Sequence, residues 1–176
     1  LAQMEKVELK EVKFPNSHRK IELHTGLEEN DRKSVADKLS EVLADSYLLM
    51  LKTHYYHWNV KGTLFKSLHD LTEQQYTELF EAIDDIAERI RALGFEAPGT
   101  FSIFQKISNV KEAKSGLSDL EMSADLLETH ESLILKLRET LKTADEISDE
   151  VTVDMMVSRL TIHEKAAWML RSFIER

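Results

Sequence analysis

Glycine sets the frame of this chain. There are only five in 176 residues, Gly26, Gly62, Gly94, Gly99 and Gly116, and each falls between stretches that read as helix. From about Asn30, a good N-cap, to about Val60, the residues Val35, Leu39, Val42, Leu43, Tyr47 and Met50 recur at three- and four-residue steps, which marks one buried helical face. A second stretch runs from near Thr63 to Gly94 without Gly or Pro, and Pro98-Gly99 reinforces its end. A third opens on the capping box Ser118-Asp119-Leu120-Glu121 and continues to about Thr143, with Leu126, Leu127, Leu133, Ile134, Leu137 and Leu141 toward the core. The fourth begins near Ser148 or Asp149 and carries Trp168 and Phe173 as core residues. Phe101 to Ile107 reads as a short helix in the long connection between the second and third helices. The expectation is an all-α four-helix bundle with that short extra helix in a crossover. Residues 27–176 form one domain, and residues 1–26 form an arm, extended or partly disordered, broken at Pro15.

The second stretch holds the chemistry. His69 and Glu73 are an i,i+4 pair, and so are Asp84 and Glu88, so each pair shares a helical face. The step from Glu73 to Asp84 is eleven residues, about 1100° at ~100° per residue, which brings all four side chains to one stripe. The two pairs are nevertheless about 16 Å apart along the axis at ~1.5 Å per residue. Ligand atoms sit only about 2 Å from a transition metal. One helix therefore cannot bring both pairs to one centre. Either there are two separate sites, or a second copy lies antiparallel about an axis near Glu78 or Leu79 and supplies the other half. His57 joins the first pair if the helix ending near Val60 and the helix starting near Thr63 form a hairpin. The alternative is a set of solvated surface pairs, which helices commonly carry at this spacing.

Imidazole with carboxylate suits Fe, Mn or Zn, and the absence of Cys removes thiolate and iron–sulfur sites. Carboxylate-rich centres in helical bundles are typical of di-iron and di-manganese chemistry.

The run His57-Trp58-Asn59, then Gly62, Phe65, Leu68-His69, Glu73, Asp84-x-x-x-Glu88-Arg89 and Leu93-Gly94 resembles the Dps family. These are the DNA-protection-during-starvation proteins, or mini-ferritins, and the likeness spans nearly the whole chain. It implies a ferritin-like bundle, a hollow homo-oligomeric shell of twelve subunits, and oxidation of Fe(II), preferably by hydrogen peroxide, with Fe(III) oxide stored inside. It implies a di-iron centre shared between two subunits, with His57, His69 and Glu73 from one and Asp84 and Glu88 from its neighbour. Many members have Asp where this chain has Glu73. Ordinary ferritins instead use Glu-x-x-His within one bundle. Here Leu127 stands three before His130 and Leu160 three before His163, so that pattern is absent.

Accessory readings follow from position. His54, one turn before His57, reads as a core histidine or one that supports His57, with an additional ligand as the alternative, and Trp58 reads either as a packing residue or as a sacrificial electron donor beside iron and peroxide. Tyr55 and Tyr56 read as packing residues, and His130 as exposed or packed. Glu146, Glu150 and Asp154 are spaced by four at the start of the fourth helix; the resemblance makes them the lining of an iron-entry pore, and charge–dipole placement is the other reading.

The formal net charge of −9 argues against a broad DNA-binding surface and favours attraction of cations. Residues 1–26 carry five Lys or Arg against four Glu, a net of +1, so a basic DNA-binding tail is weakly supported. A DNA-binding nucleoid shell with a subsidiary metal site is the alternative function. The chain opens on Leu1 rather than Met, which leaves room for native residues ahead of it. No apolar run is long enough for a bilayer and no secretory leader is evident, so the expected location is the cytoplasm, in or near the nucleoid, with no membrane partner.

Overall fold

The computed structural model describes residues 22–175, so the arm expected over residues 1–26 lies almost wholly outside the described residues. Five helices follow in order: α1 Glu29–Asn59, α2 Phe65–Ala92, α3 Phe101–Ile107, α4 Asp119–Glu146 and α5 Glu150–Ile174. Among the described residues there is no strand, and no helix is long and apolar enough to cross a membrane. Helix α1 packs along α2 and α4 along α5, giving two hairpins, which join through α1 against α4.

The core is the inner stripe of each long helix. Leu39, Leu43, Leu49 and Tyr56 of α1 meet Leu68, Leu79, Ile86 and Ile90 of α2, and Leu126, Leu133 and Leu137 of α4. Burying one such side chain contributes about 1.5–3 kcal/mol. Phe173 is half-buried against this cluster as expected, but Trp168 is 60% exposed. The core reading of Trp168 is corrected: the inner face of α5 is taken by Ala166, Ala167 and Leu170, and the indole lies on the outer face.

Local chemistry explains the ends. Ser118 and Glu121 form the capping box of α4, with donors bonded in both directions. Asn30 is not the N-cap of α1: Glu28 holds that position, without a side-chain cap, and Asn30 lies inside the helix. Helix α2 stops where Gly94 takes φ +97°, with Phe95 N–H donating to Ile90 O. A Cβ there would come within 2.9 Å of Arg32 Nη1, and Arg32 in turn donates to Leu93 O at 2.6 Å.

The long crossover is held to the bundle at several points. Asp45 accepts from Ser108 Oγ at 2.6 Å and Asn109 N–H at 2.9 Å. Tyr56 Oη accepts from Lys114 N–H and donates to Asp125, which also pairs with the buried Lys52 at 3.0 Å. Phe104 seats α3 against Tyr47, ring to ring at 5.0 Å.

Candidate metal centre

The α1–α2 turn decides where His57 and His69 meet. Gly62 has φ +102°, and a Cβ on it would sit 3.0 Å from Asp119 Oδ2. That same oxygen accepts from Leu64 N–H at 2.9 Å, so the start of α4 fastens the hairpin. The tight turn brings the two imidazoles face to face, with centroids 3.8 Å apart and planes 18° from parallel.

Each ring is anchored by the other residue's backbone. His57 Nδ1 lies 2.9 Å from His69 O, and His69 Nδ1 lies 2.9 Å from His57 O. A carbonyl only accepts, so both Nδ1 atoms carry the proton and donate. In the neutral ring the lone pair then sits on Nε2, and among the described residues neither Nε2 has a protein partner. A backbone carbonyl fixing one nitrogen so that the other can ligate is the usual support of a metal-bound histidine. Thr72, one turn after Leu68, adds its hydroxyl 3.4 Å from His57 Nδ1. His57 is buried and His69 half-buried, so the pair sits in a wall rather than on a free surface.

The carboxylates of the stripe are all exposed. Glu73 borders a shallow groove of about 520 Å³ with Asp70, Glu78 and Glu81. Asp84 and Glu88 lie further along the unbroken α2, separated from Glu73 by the ~16 Å that the helical rise imposes. Among the described residues no three His, Asp or Glu side chains of one chain converge on a common point. The structure thus brings His57 and His69 together and leaves Asp84 and Glu88 apart from them.

An aromatic stack runs outward from this place. His57 meets the Tyr76 ring at 5.1 Å, Tyr76 stacks on His54 at 4.2 Å, and His54 touches Trp58 at 4.1 Å. Burial, then the nearby His57, lower the His54 pKa. Trp58 is 61% exposed. Tyr76 and Thr72 had no role in the sequence reading, although both lie within two turns of His69 on α2 and their spacing could have found them.

The even spacing of Glu146, Glu150 and Asp154 does not survive as one helical stripe. Glu146 ends α4 and Glu150 opens α5, with Ser148 at φ +57° between them. All three are exposed, and Glu150 and Asp154 alone share a face of α5. The break is held by Asp149, which accepts from Thr152 and from Arg89 at 2.6 Å. Burial alone would raise the Asp149 carboxyl, but the bonds from Arg89 and Thr152 outweigh it and hold it below the usual carboxylate range.

A second histidine pair lies inside the bundle. His130 of α4 and His163 of α5 are buried, with their Nδ1 atoms 2.9 Å apart. Arg159 Nη2 lies 3.0 Å from His163 Nε2, and Arg159 forks onto Glu78 of α2. Burial, and then Arg159, push the His130 pKa down to about 3; His163 is lowered well below its ordinary value by burial, then His130, then Arg159. Both rings are neutral at pH 7.

A ferritin-like domain model matches residues 36–176. An uncharacterised low-temperature-induced protein of Nostoc is 43% identical over 155 residues, covering 87% of each chain. DNA protection during starvation protein 2 of Bacillus anthracis is 36% identical, over 82% of this chain and 99% of that one. Among solved structures, a Dps protein of Vibrio cholerae, described as one of the ferritin-like diiron-carboxylate proteins, superposes with a TM-score of 0.81 at 30% identity. That match covers 85% of this chain and 94% of the other. Bundle, crossover helix and relatives agree, and the chain belongs to the Dps family of ferritin-like proteins.

Proposed function

We propose that the protein is a ferroxidase and iron-storage subunit whose oxidation centre forms between two copies. In this reading α2 of a second copy lies antiparallel, so that Asp84 and Glu88 of that copy face His57, His69 and Glu73 of the first. The observation that carries it is the reciprocal anchoring of the two imidazoles, which leaves both Nε2 lone pairs for a cation beside exposed carboxylates. Ordinary surface histidines have no need of backbone carbonyls that fix their tautomer.

The substrates are Fe(II) and hydrogen peroxide. The imidazoles hold Fe(II) before the oxidant arrives, and the carboxylates favour the Fe(III) that forms. Two Fe(II) ions each give one electron to the O–O bond of one peroxide. That bond breaks and takes up two protons to leave two waters, so no hydroxyl radical is released. Fe(III) oxide then collects inside a hollow shell, which the family resemblance makes a dodecamer in the cytoplasm, and DNA is spared iron-driven oxidation. Glu146, Glu150 and Asp154 line the route by which Fe(II) enters. Glu73 keeps a carboxylate four residues after His69, on an arm one methylene longer than the Asp that the resemblance gives for many members.

The Trp58–His54–Tyr76 stack supplies an outlet for stray oxidising equivalents, since its rings run from His57 to the surface. Trp58 is the sacrificial donor and His54 the link.

The test is anaerobic Fe(II) loading followed by stoichiometric peroxide, with iron absorbance and hydroxyl-radical trapping read together. Wild type should oxidise iron rapidly with little trapped radical, and a His57→Ala, Asp84→Ala double variant should lose that behaviour. Equal rates in the two proteins would refute the shared centre.

A further inference from the structure

The second histidine pair has its protons fixed by geometry. A guanidinium cannot accept, so His163 Nε2 must offer its lone pair to Arg159 Nη2. His163 then carries its proton on Nδ1 and donates it to His130 Nδ1, which leaves the His130 proton on Nε2. That Nε2 is buried without a partner, and so are both amide atoms of Gln75 and Arg159 Nε. Gln75, Glu78, His130 and His163 all line one cavity of about 240 Å³ between α2, α4 and α5.

Glu78 and His163, which contact the guanidinium, and Gln75, which lines one cavity with them, are groups of the kind that hold a divalent cation. Glu78 presents both carboxylate oxygens to Arg159. His163 presents Nε2 while its other nitrogen is fixed by His130, the arrangement of a supported metal ligand. Gln75 offers a spare amide oxygen one turn from Glu78. Glu78 Oε2 and His163 Nε2 are each 3.0 Å from the same Arg159 nitrogen, hence at most twice that apart. Arg159 is itself 94% buried with one N–H unpartnered, a costly placement for a cation with no role.

We infer that the Arg159 guanidinium occupies the place of a divalent metal ion in the bundle interior, closing a Glu78–His163–Gln75 site. The site is a metal site with its cation built into the chain. One consequence rests on the proposed function: iron is kept out of the bundle core and is oxidised at the shared centre alone.

The probe is Co(II), followed by visible absorption and by equilibrium dialysis, in a His57→Ala, His69→Ala background that removes the imidazoles of the shared centre. Adding Arg159→Met to this parent should create one further Co(II) site per subunit, at least about tenfold tighter than any in the parent. Adding His163→Ala or Glu78→Gln should abolish it. If Arg159→Met does not fold alone, Co(II) should restore its helicity by circular dichroism, and His163→Ala should prevent the rescue. A folded Arg159→Met protein that binds no more Co(II) than its parent would overturn the inference. So would extra Co(II) that survives His163→Ala, or an unfolded variant that Co(II) does not rescue. Because the parent lacks the His57 and His69 imidazoles, these outcomes are independent of whether the shared centre oxidises iron.

Discussion

Two histidine pairs in one small bundle are put to opposite ends. His57 and His69 spend Nδ1 on backbone carbonyls and keep Nε2 open, at the edge of a stripe of exposed carboxylates. His130 and His163 bond to each other, His163 also bonds to Arg159, and the pair sits in the core where a cation is already present. The residue type is the same. Whether an imidazole can ligate depends on which nitrogen the fold consumes, and on whether a positive charge already stands before the other one.

The largest effect should come from breaking the open pair's carboxylate half. Asp84→Asn should slow peroxide-driven Fe(II) oxidation by about 100-fold or more while leaving the urea midpoint unchanged, because Asp84 is exposed on the surface of α2. Stopped-flow absorbance and denaturant titration read the two sides separately.

A middle effect, with the opposite signature, should come from the closed pair. Glu78→Gln strands the buried Arg159 and should cost about 2 kcal/mol, below the value for a wholly buried pair because Glu78 is 35% exposed. Oxidation rate per folded subunit should not change. A rate loss matching that of Asp84→Asn would erase the distinction between the pairs.

The smallest effect is a pH slope. The folded-state pKa of His130 is about 3 against an ordinary 6.5, and His163 is lowered too. The unfolded chain therefore binds protons first as pH falls. The stability these two neutral rings contribute is present above about 6.5 and is lost progressively toward 3. His130→Gln should flatten the dependence of the urea midpoint on pH between 6.5 and 4. An unchanged slope would mean the rings are not held neutral.

Much of the fold could be read from residue spacing. The capping box at Ser118, the stop at Gly94 and the short helix Phe101–Ile107 all stand where local rules place them. The exceptions have local causes. Glu28, not Asn30, is the N-cap of α1, and Trp168 lies on the outer face of α5 while Ala166, Ala167 and Leu170 take the inner one. Glu146 was cut off from Glu150 by a left-handed Ser148 that nothing in a charge pattern signals.

The candidate site was legible in part for a similar reason. Helical arithmetic places His69, Glu73, Asp84 and Glu88 on a stripe and shows that one chain cannot close it. It says nothing of backbone carbonyls, so the anchoring of His57 and His69 was invisible. The His130–His163 contact joins residues 33 apart on two helices, and Arg159 reaches across to a third. Such a network depends on how helices are rotated against each other, which a one-dimensional pattern does not encode.

The central claim is that each oxidation centre takes residues from two copies, and subunit mixing tests it most directly. His57→Ala and Asp84→Ala subunits, each inactive alone, are assembled together at equal amounts and assayed for peroxide-driven Fe(II) oxidation. In a two-fold pair each mixed dimer keeps one intact centre, so about one quarter of wild-type activity should return. If the mixture stays as inactive as its parts, the centre is not shared and the account is wrong.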